Sequence, residues 1–159
     1  LAREALDAAR EGGALLLVND RPDVACILGA DGVHVGQDDL RPADVRTVLG
    51  PDAIIGISTH NVEQLRRAAI EPVDYVAVGP VFPTSTKAEA DPVVGLDLVR
   101  QARKLVTHPL VAIGGIRQDN ARAVVEAGAD GVAVASALLA GPDCTALSIA
   151  FHAALRGGA

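Results

Sequence analysis

Short apolar runs rich in β-branched residues recur six times along this chain: ALLLV (14–18), GVHVG (32–36), AIIGI (53–57), DYVAVG (74–79), PLVAIGG (109–115) and GVAVA (131–135). Each is followed by a polar turn and then by a stretch with helical apolar spacing, such as NVEQLRRAAI (61–70), GLDLVRQARKL (95–105) and RQDNARAVVEA (117–127). Strands that are apolar throughout must bury both faces, and their alternation with helices means βαβ units and a parallel sheet. The chain is therefore predicted to be α/β. Pro22 after Arg21, Asn61 after His60 and Asp119 in RQDN suit helix starts. The opening LAREALDAAREGG (1–13) reads as the end of a helix already under way, so the chain is expected to continue upstream.

One local unit occurs twice: GADGV opens both GADGVHVGQDD (29–39) and GADGVAVAS (128–136). Gly29 and Gly128 are expected to close a helix in the left-handed conformation. Ala-Asp then makes the turn, and a second glycine opens the next strand. This corner precedes its strand, so it lies at the N-terminal strand end and is scaffold. The diverging endings lie at the opposite end, where α/β proteins place their sites.

At 159 residues, the chain is read as a single domain, 1–159. Its hydrophobic half contains two Phe, one Tyr and no Trp, which leaves little aromatic surface for stacking on bases. A net charge of −6 likewise disfavours a nucleic-acid backbone as partner. Cys26 and Cys144 fall in apolar helical patterns and are expected to be buried free thiols in a reducing cytoplasm. No apolar run approaches the roughly 20 residues of a membrane span, and no secretory pattern opens the chain.

The residues after each strand are NDR (19–21), GQDD (36–39), STH (58–60), GPVFPTSTK (79–87), GGI (114–116) and AS (135–136). Neighbouring parallel strands are about 4.8 Å apart, so Asp20 and the Asp38/Asp39 pair can converge on one ion. Carboxylates without a His or Cys cluster suit Mg²⁺, which bridges to substrate phosphates. The alternative is that these aspartates cap the following helices. The long 79–95 connection carries Thr84, Ser85, Thr86 and Lys87, a hydroxyl cluster ending in a cation, and so suits an anionic oxygen. Gly115 in GGI and Ser136 after the last strand match the paired phosphate-binding turns of (β/α)₈ barrels. Of the four histidines, His34 is read as a packed strand residue. His60 is either structural or near substrate, and His108 and His152 are incidental. No Ser-His-Asp arrangement can be argued.

Taken together, LLVNDR, GADGVHVGQDD, GISTH, VGPVFPTSTK, VAIGGI and GADGVAVAS resemble, in order and spacing, the motifs of the thiamine phosphate synthase family. The resemblance covers nearly the whole chain. It implies a (β/α)₈ TIM-type barrel, of which this chain would hold strands three to eight, six of the eight βα units. It implies a cytoplasmic transferase that joins hydroxymethylpyrimidine diphosphate to thiazole phosphate, with Mg²⁺ bound and no nucleic acid or membrane as partner. Asp20 and Asp39 would be the metal ligands and Asn19 would lie beside the pyrimidine substrate. Ser58 and Lys87 would be the catalytic pair on the diphosphate oxygens. Thr84, Ser85 and Thr86 would contact substrate, and Gly115, Ala135 and Ser136 would receive the thiazole phosphate.

Family members carry two further N-terminal βα units with a Gln-x-Arg-x-Lys motif that this sequence does not contain. The expectation is that the chain alone has little synthase activity, or that it completes its barrel by strand exchange in a homo-oligomer. Three alternatives stand beside the synthase reading: a thiazole tautomerase-like isomerase, a non-catalytic phosphate-binding remnant, and a flavodoxin-like sheet. Strands ordered as simple sequence neighbours would exclude the last.

Overall fold

A computed structural model describes residues 1–84, 91–139 and 141–156. Strands and helices alternate along the chain: α1 (Ala2–Glu11), β1 (Leu17–Asn19), α2 (Pro22–Leu28), β2 (Gly32–Val35), α3 (Pro42–Leu49), β3 (Ile54–Thr59), α4 (Val62–Ala68) and β4 (Tyr75–Val78). They continue with α5 (Gly95–Leu105), β5 (Leu110–Ile113), α6 (Gln118–Glu126), β6 (Gly131–Ala133), α7 (Ser136–Leu139) and α8 (Cys144–Arg156). Each of the six apolar runs overlaps a strand, and β1 and β3 extend one and two residues past theirs. The order is β1-β2-β3-β4-β5-β6, so each strand adjoins its sequence neighbour and the flavodoxin-like arrangement is excluded.

The chain divides into two compact units. The first comprises residues 1–58 and 70–75, the second 59–69 and 76–159. In the first, β1, β2 and β3 pair in parallel, with Asn19 opposite His34 and His34 opposite Gly56. Its core is Leu6, Ala25, Val33, Val35, Val45 and Ile55. In the second, β4, β5 and β6 pair in parallel around Val76, Val78, Leu110 and Ala112. Leu65, Val99 and Val124 bury the inner faces of α4, α5 and α6.

The repeated corner does more than turn the chain. Gly29 is left-handed at φ 66°, and Gly128 also takes a positive φ, 114°. The aspartate that follows grips the preceding strand at two points. Asp31 donates its N–H to the Leu16 carbonyl (3.0 Å) and accepts the Leu16 N–H on Oδ2 (2.7 Å). Asp130 does the same to Leu110, with both bonds 2.8 Å long. A third copy occurs where no GADGV marks it: Asp74 grips Ile55 at 2.8 and 2.7 Å. These aspartates precede β2, β4 and β6, every second strand. Arginines from α3 and α5 brace two of them, Arg46 on Asp74 at 2.7 Å and Arg103 on Asp130 at 2.8 Å. Each arginine also donates to carbonyls just beyond its own helix.

Asn61 caps α4 as expected, accepting the Gln64 N–H at 3.0 Å. Asp119 does not cap α6. It lies in the first turn and pairs with Arg117, while Asn120 Oδ1 takes the Arg117 N–H at 2.8 Å. A side chain one turn into the helix can reach back to the cap position, and the amide of Asn120 supplies that acceptor. Both cysteines are exposed rather than buried, because Cys26 and Cys144 fall on the outer sides of their helices. Among the described residues, no helix is long and apolar enough to cross a membrane.

Candidate functional site

Parallel pairing within each unit brings its strand C-termini to one edge, so the residues after the strands come together unit by unit. In the first unit β1 ends at Asn19 and the chain turns through Asp20, both of them exposed. Asp20 is the one non-glycine residue with a positive φ among the described residues, at 62°. Its N–H donates to the His34 carbonyl at 2.8 Å, which extends the β1–β2 ladder one step. Aspartate tolerates this conformation better than most side chains, but the conformation still costs free energy, and such strain collects at functional positions. Asp20 is not the cap of α2; that position belongs to Arg21, ahead of Pro22. Arg21 instead binds Asp23, with Nε 2.8 Å from Oδ1, and holds that carboxyl at about 2.

After β2, Asp39 Oδ2 accepts the Gly36 N–H at 2.7 Å and so closes the GQDD turn. The cap position of α3 is Arg41, so neither Asp38 nor Asp39 serves as that helix's cap. None of the three aspartates occupies the cap position of the helix that follows it. Two carboxylates on consecutive strand ends, with no group of three or more metal-binding side chains among the described residues, do not make an all-protein cage. They fit an ion that keeps waters and binds substrate phosphate, as Mg²⁺ does.

Ser58, near the end of β3, is half-buried. Its carbonyl accepts from Gln37 Nε2 at 2.6 Å, and its hydroxyl lies 2.8 Å from His34 Nε2. His34 Nδ1 in turn is 2.7 Å from the Tyr75 hydroxyl. Burial pushes the His34 pKa down, partly offset by the Asp39 carboxylate, and burial pushes the Tyr75 phenol up. Imidazole and phenol are therefore both neutral near pH 7. Sequence reasoning took His34 for simple packing and passed over Gln37 and Tyr75. The available signal was that His34, flanked by two valines, is the polar member of an otherwise apolar strand, and that Tyr75 is the one tyrosine in the chain.

In the second unit, Thr59 is fully buried and donates to the Ala77 carbonyl at 2.7 Å. His60 takes a structural part: Nδ1 lies 2.6 Å from the Gly79 carbonyl, and Nε2 3.5 Å from Asp91. Beyond Gly79 the backbone runs beside the end of β5. Val81 donates to Ile113 (2.9 Å) and Phe82 to Gly114 (3.0 Å). This segment packs closely on the GGI turn. A Cβ on Gly114 would come 2.5 Å from Pro80 Cβ, and one on Gly115 2.4 Å from the Pro83 carbonyl oxygen. Both glycines also have positive φ, 96° and 64°. Asn120 Nδ2 donates to the Gly115 carbonyl at 3.1 Å, which fixes the turn against α6. After β6, exposed Ala135 and Ser136 open the short α7, and the Ala135 carbonyl accepts from Leu138 and Leu139, both at 3.0 Å. Thr84 is half-buried. Ser85, Thr86 and Lys87 lie outside the described residues.

The thiamine monophosphate synthase family profile matches residues 1–138. A thiamine-phosphate synthase from Koribacter versatilis is 54% identical over 147 residues, 89% of this chain and 70% of that protein. The chain belongs to the thiamine monophosphate synthase family, whose members are transferases of thiamine biosynthesis. A second thiamine-phosphate synthase, from Azorhizobium caulinodans, is 48% identical, covering 91% of this chain and 68% of that protein. Among solved structures, a thiamine phosphate pyrophosphorylase from Pyrococcus furiosus superposes with a TM-score of 0.87 at 36% identity, over 97% of this chain and 73% of that one. The fold is thus of the (β/α)₈ barrel type, with six of its strands in this chain. The synthase names carried by these relatives favour the transferase over the tautomerase reading.

Proposed function

We propose that this family member acts on hydroxymethylpyrimidine diphosphate and thiazole phosphate to give thiamine phosphate and diphosphate. The observation that carries the proposal is Asp20, held at a positive φ beside the end of β2, where Asp39 closes the next turn. In the reaction the bond between the pyrimidine methylene carbon and the diphosphate oxygen breaks, and its electron pair leaves with diphosphate. The thiazole nitrogen then donates its lone pair to that carbon. No proton need move, so the reaction requires no general base. When bound to Asp20 and Asp39, Mg²⁺ would supply positive charge to the departing diphosphate.

The remaining work falls to the chain's own residues. Ser58 and Lys87 would donate to the diphosphate oxygens as charge builds there. Asn19 would hold the pyrimidine, while Thr84, Ser85 and Thr86 would orient the thiazole. Gly115, Ala135 and Ser136 would bind the thiazole phosphate through backbone and hydroxyl donors, so that the nucleophilic nitrogen is held in place. Small-molecule substrates and a cytoplasmic setting belong to the same reading, and the family assignment supports them.

Titration calorimetry tests it. The expected result is binding of the pyrimidine diphosphate that requires Mg²⁺ and is lost in Asp39→Asn. Binding of thiazole phosphate alone, with no Mg²⁺-dependent binding of the pyrimidine substrate, would overturn it in favour of a phosphate-binding remnant.

A further inference from the structure

The reaction just described uses Ser58 but neither His34 nor Tyr75 behind it, and the geometry of the three is tightly set. His34 is opposite Gly56 in the β2–β3 register, and Ser58, two residues on from Gly56, shares its face. The Tyr75 ring occupies the space that a side chain on Gly56 would fill: a Cβ there would lie 2.0 Å from Tyr75 Cζ and 2.4 Å from its hydroxyl oxygen. The imidazole and phenol centroids are 5.4 Å apart at an interplanar angle of 30°. With the ring seated in this way, the Tyr75 hydroxyl reaches His34 Nδ1.

A neutral imidazole donates through one nitrogen and accepts through the other, so the chain has two arrangements. With the proton on Nδ1, His34 donates to Tyr75 and accepts the Ser58 hydroxyl hydrogen at Nε2. Ser58 then offers any bound ligand only lone pairs. The phenol hydrogen would also lack an acceptor, because His34 Nδ1 is the one hydrogen-bond partner of Tyr75 Oη among the described residues. With the proton on Nε2, Tyr75 donates to Nδ1 and Nε2–H donates to Ser58 Oγ. The Ser58 hydrogen is then free to point at a ligand. An anionic phosphate oxygen needs a donor, and only the second arrangement provides one while satisfying the half-buried phenol.

We infer that Tyr75 is a positioning residue: by donating to His34 Nδ1 it fixes the Nε2–H tautomer and so makes the Ser58 hydroxyl a donor toward the diphosphate. The inference rests on the proposed contact between Ser58 and diphosphate, but the tautomer can be measured without any substrate.

The test is ¹⁵N NMR of the imidazole nitrogens in the whole chain, with His34→Gln to assign the signals. The expected spectrum has Nε2 in the protonated, pyrrole-like range and Nδ1 in the unprotonated, pyridine-like range. Tyr75→Phe should move the ring toward a mixture of tautomers and weaken Mg²⁺-dependent binding of the pyrimidine diphosphate by about tenfold, as for loss of one hydrogen bond to a charged group. In a Ser58→Ala background, Tyr75→Phe should have no further effect on binding. A protonated Nδ1 in the unaltered chain, or a His34 ring unmoved by Tyr75→Phe, would overturn the inference while leaving the Ser58 contact standing. Unchanged binding in Ser58→Ala would instead overturn that contact, and the diphosphate half of the inference with it. Should Tyr75→Phe fail to fold, the spectrum of the unaltered chain decides.

Discussion

Removing the Asp130 carboxylate should destabilise the chain through one bond in particular. Asp130 Oδ2 accepts the N–H of Leu110, the first residue of β5, at 2.8 Å. Leu110 is fully buried, so in Asp130→Ala that N–H loses its acceptor in a place where water cannot easily substitute. An orphaned buried donor costs about 1–3 kcal/mol. The second partner, Arg103 at 2.8 Å, forms an ion pair whose side chains are 32% and 57% exposed, and such a pair adds under about 1 kcal/mol. The backbone half of the grip, Asp130 N–H to the Leu110 carbonyl, survives the substitution. The expected loss for Asp130→Ala is therefore about 2–3 kcal/mol. Asp130→Asn keeps an amide oxygen for the Leu110 N–H and gives up charge alone, so it should cost about 1 kcal/mol. Urea unfolding followed by circular dichroism reads the difference, with the midpoint for Asp130→Ala falling by about 1 M. Equal losses for the two variants would show that charge, not the strand N–H, matters. A loss for Asp130→Ala below about 0.5 kcal/mol would refute the orphaned-donor reasoning altogether.

Two further outcomes follow from the same geometry. Asp20→Asn should fold as before, since asparagine also tolerates a positive φ, yet lose Mg²⁺-dependent pyrimidine diphosphate binding; Asp20→Val should also lose about 1–2 kcal/mol of stability in a melt. If Asp20→Asn binds normally, Asp20 is not a metal ligand. The Arg21 hydrogen bond lowers the Asp23 carboxyl from an ordinary 3.8 to about 2. Being depressed in the folded chain, this group adds stability above its unfolded value, and that stability is lost as pH falls from 3.8 through about 2. In Arg21→Ala, a ¹³C carboxyl titration should show Asp23 returning toward 3.8.

The alternation of elements was legible because doubly buried strands leave continuous β-branched runs, and each run overlaps a strand in the structure. The repeated GADGV corner was legible as a turn, but its aspartate's hold on the preceding strand was not. That contact joins residues 15 to 20 apart, and its third copy, at Asp74, lacks the Gly-Ala before the aspartate and the glycine after it. The C-terminal strand ends were readable as site candidates from polarity alone. What the sequence could not convey was hydrogen-bond direction. His34 between two valines looks like packing until strand register places it against Gly56 and within reach of Ser58. Likewise, Asp119 and Asn120 are equally good caps on paper, and only the geometry of the turn selects Asn120.

The contact of Gly114 and Gly115 with residues 80–83 bears on how this chain can be diversified. A turn that admits no Cβ on either residue is tied to one particular course of the neighbouring segment. Neither stretch can be varied alone, since a side chain in the turn needs a displaced loop, and a rerouted loop would leave two glycines with nothing to accommodate. For directed evolution of substrate range, residues 80–83 and 114–115 therefore form a single cassette, to be randomised together or left alone.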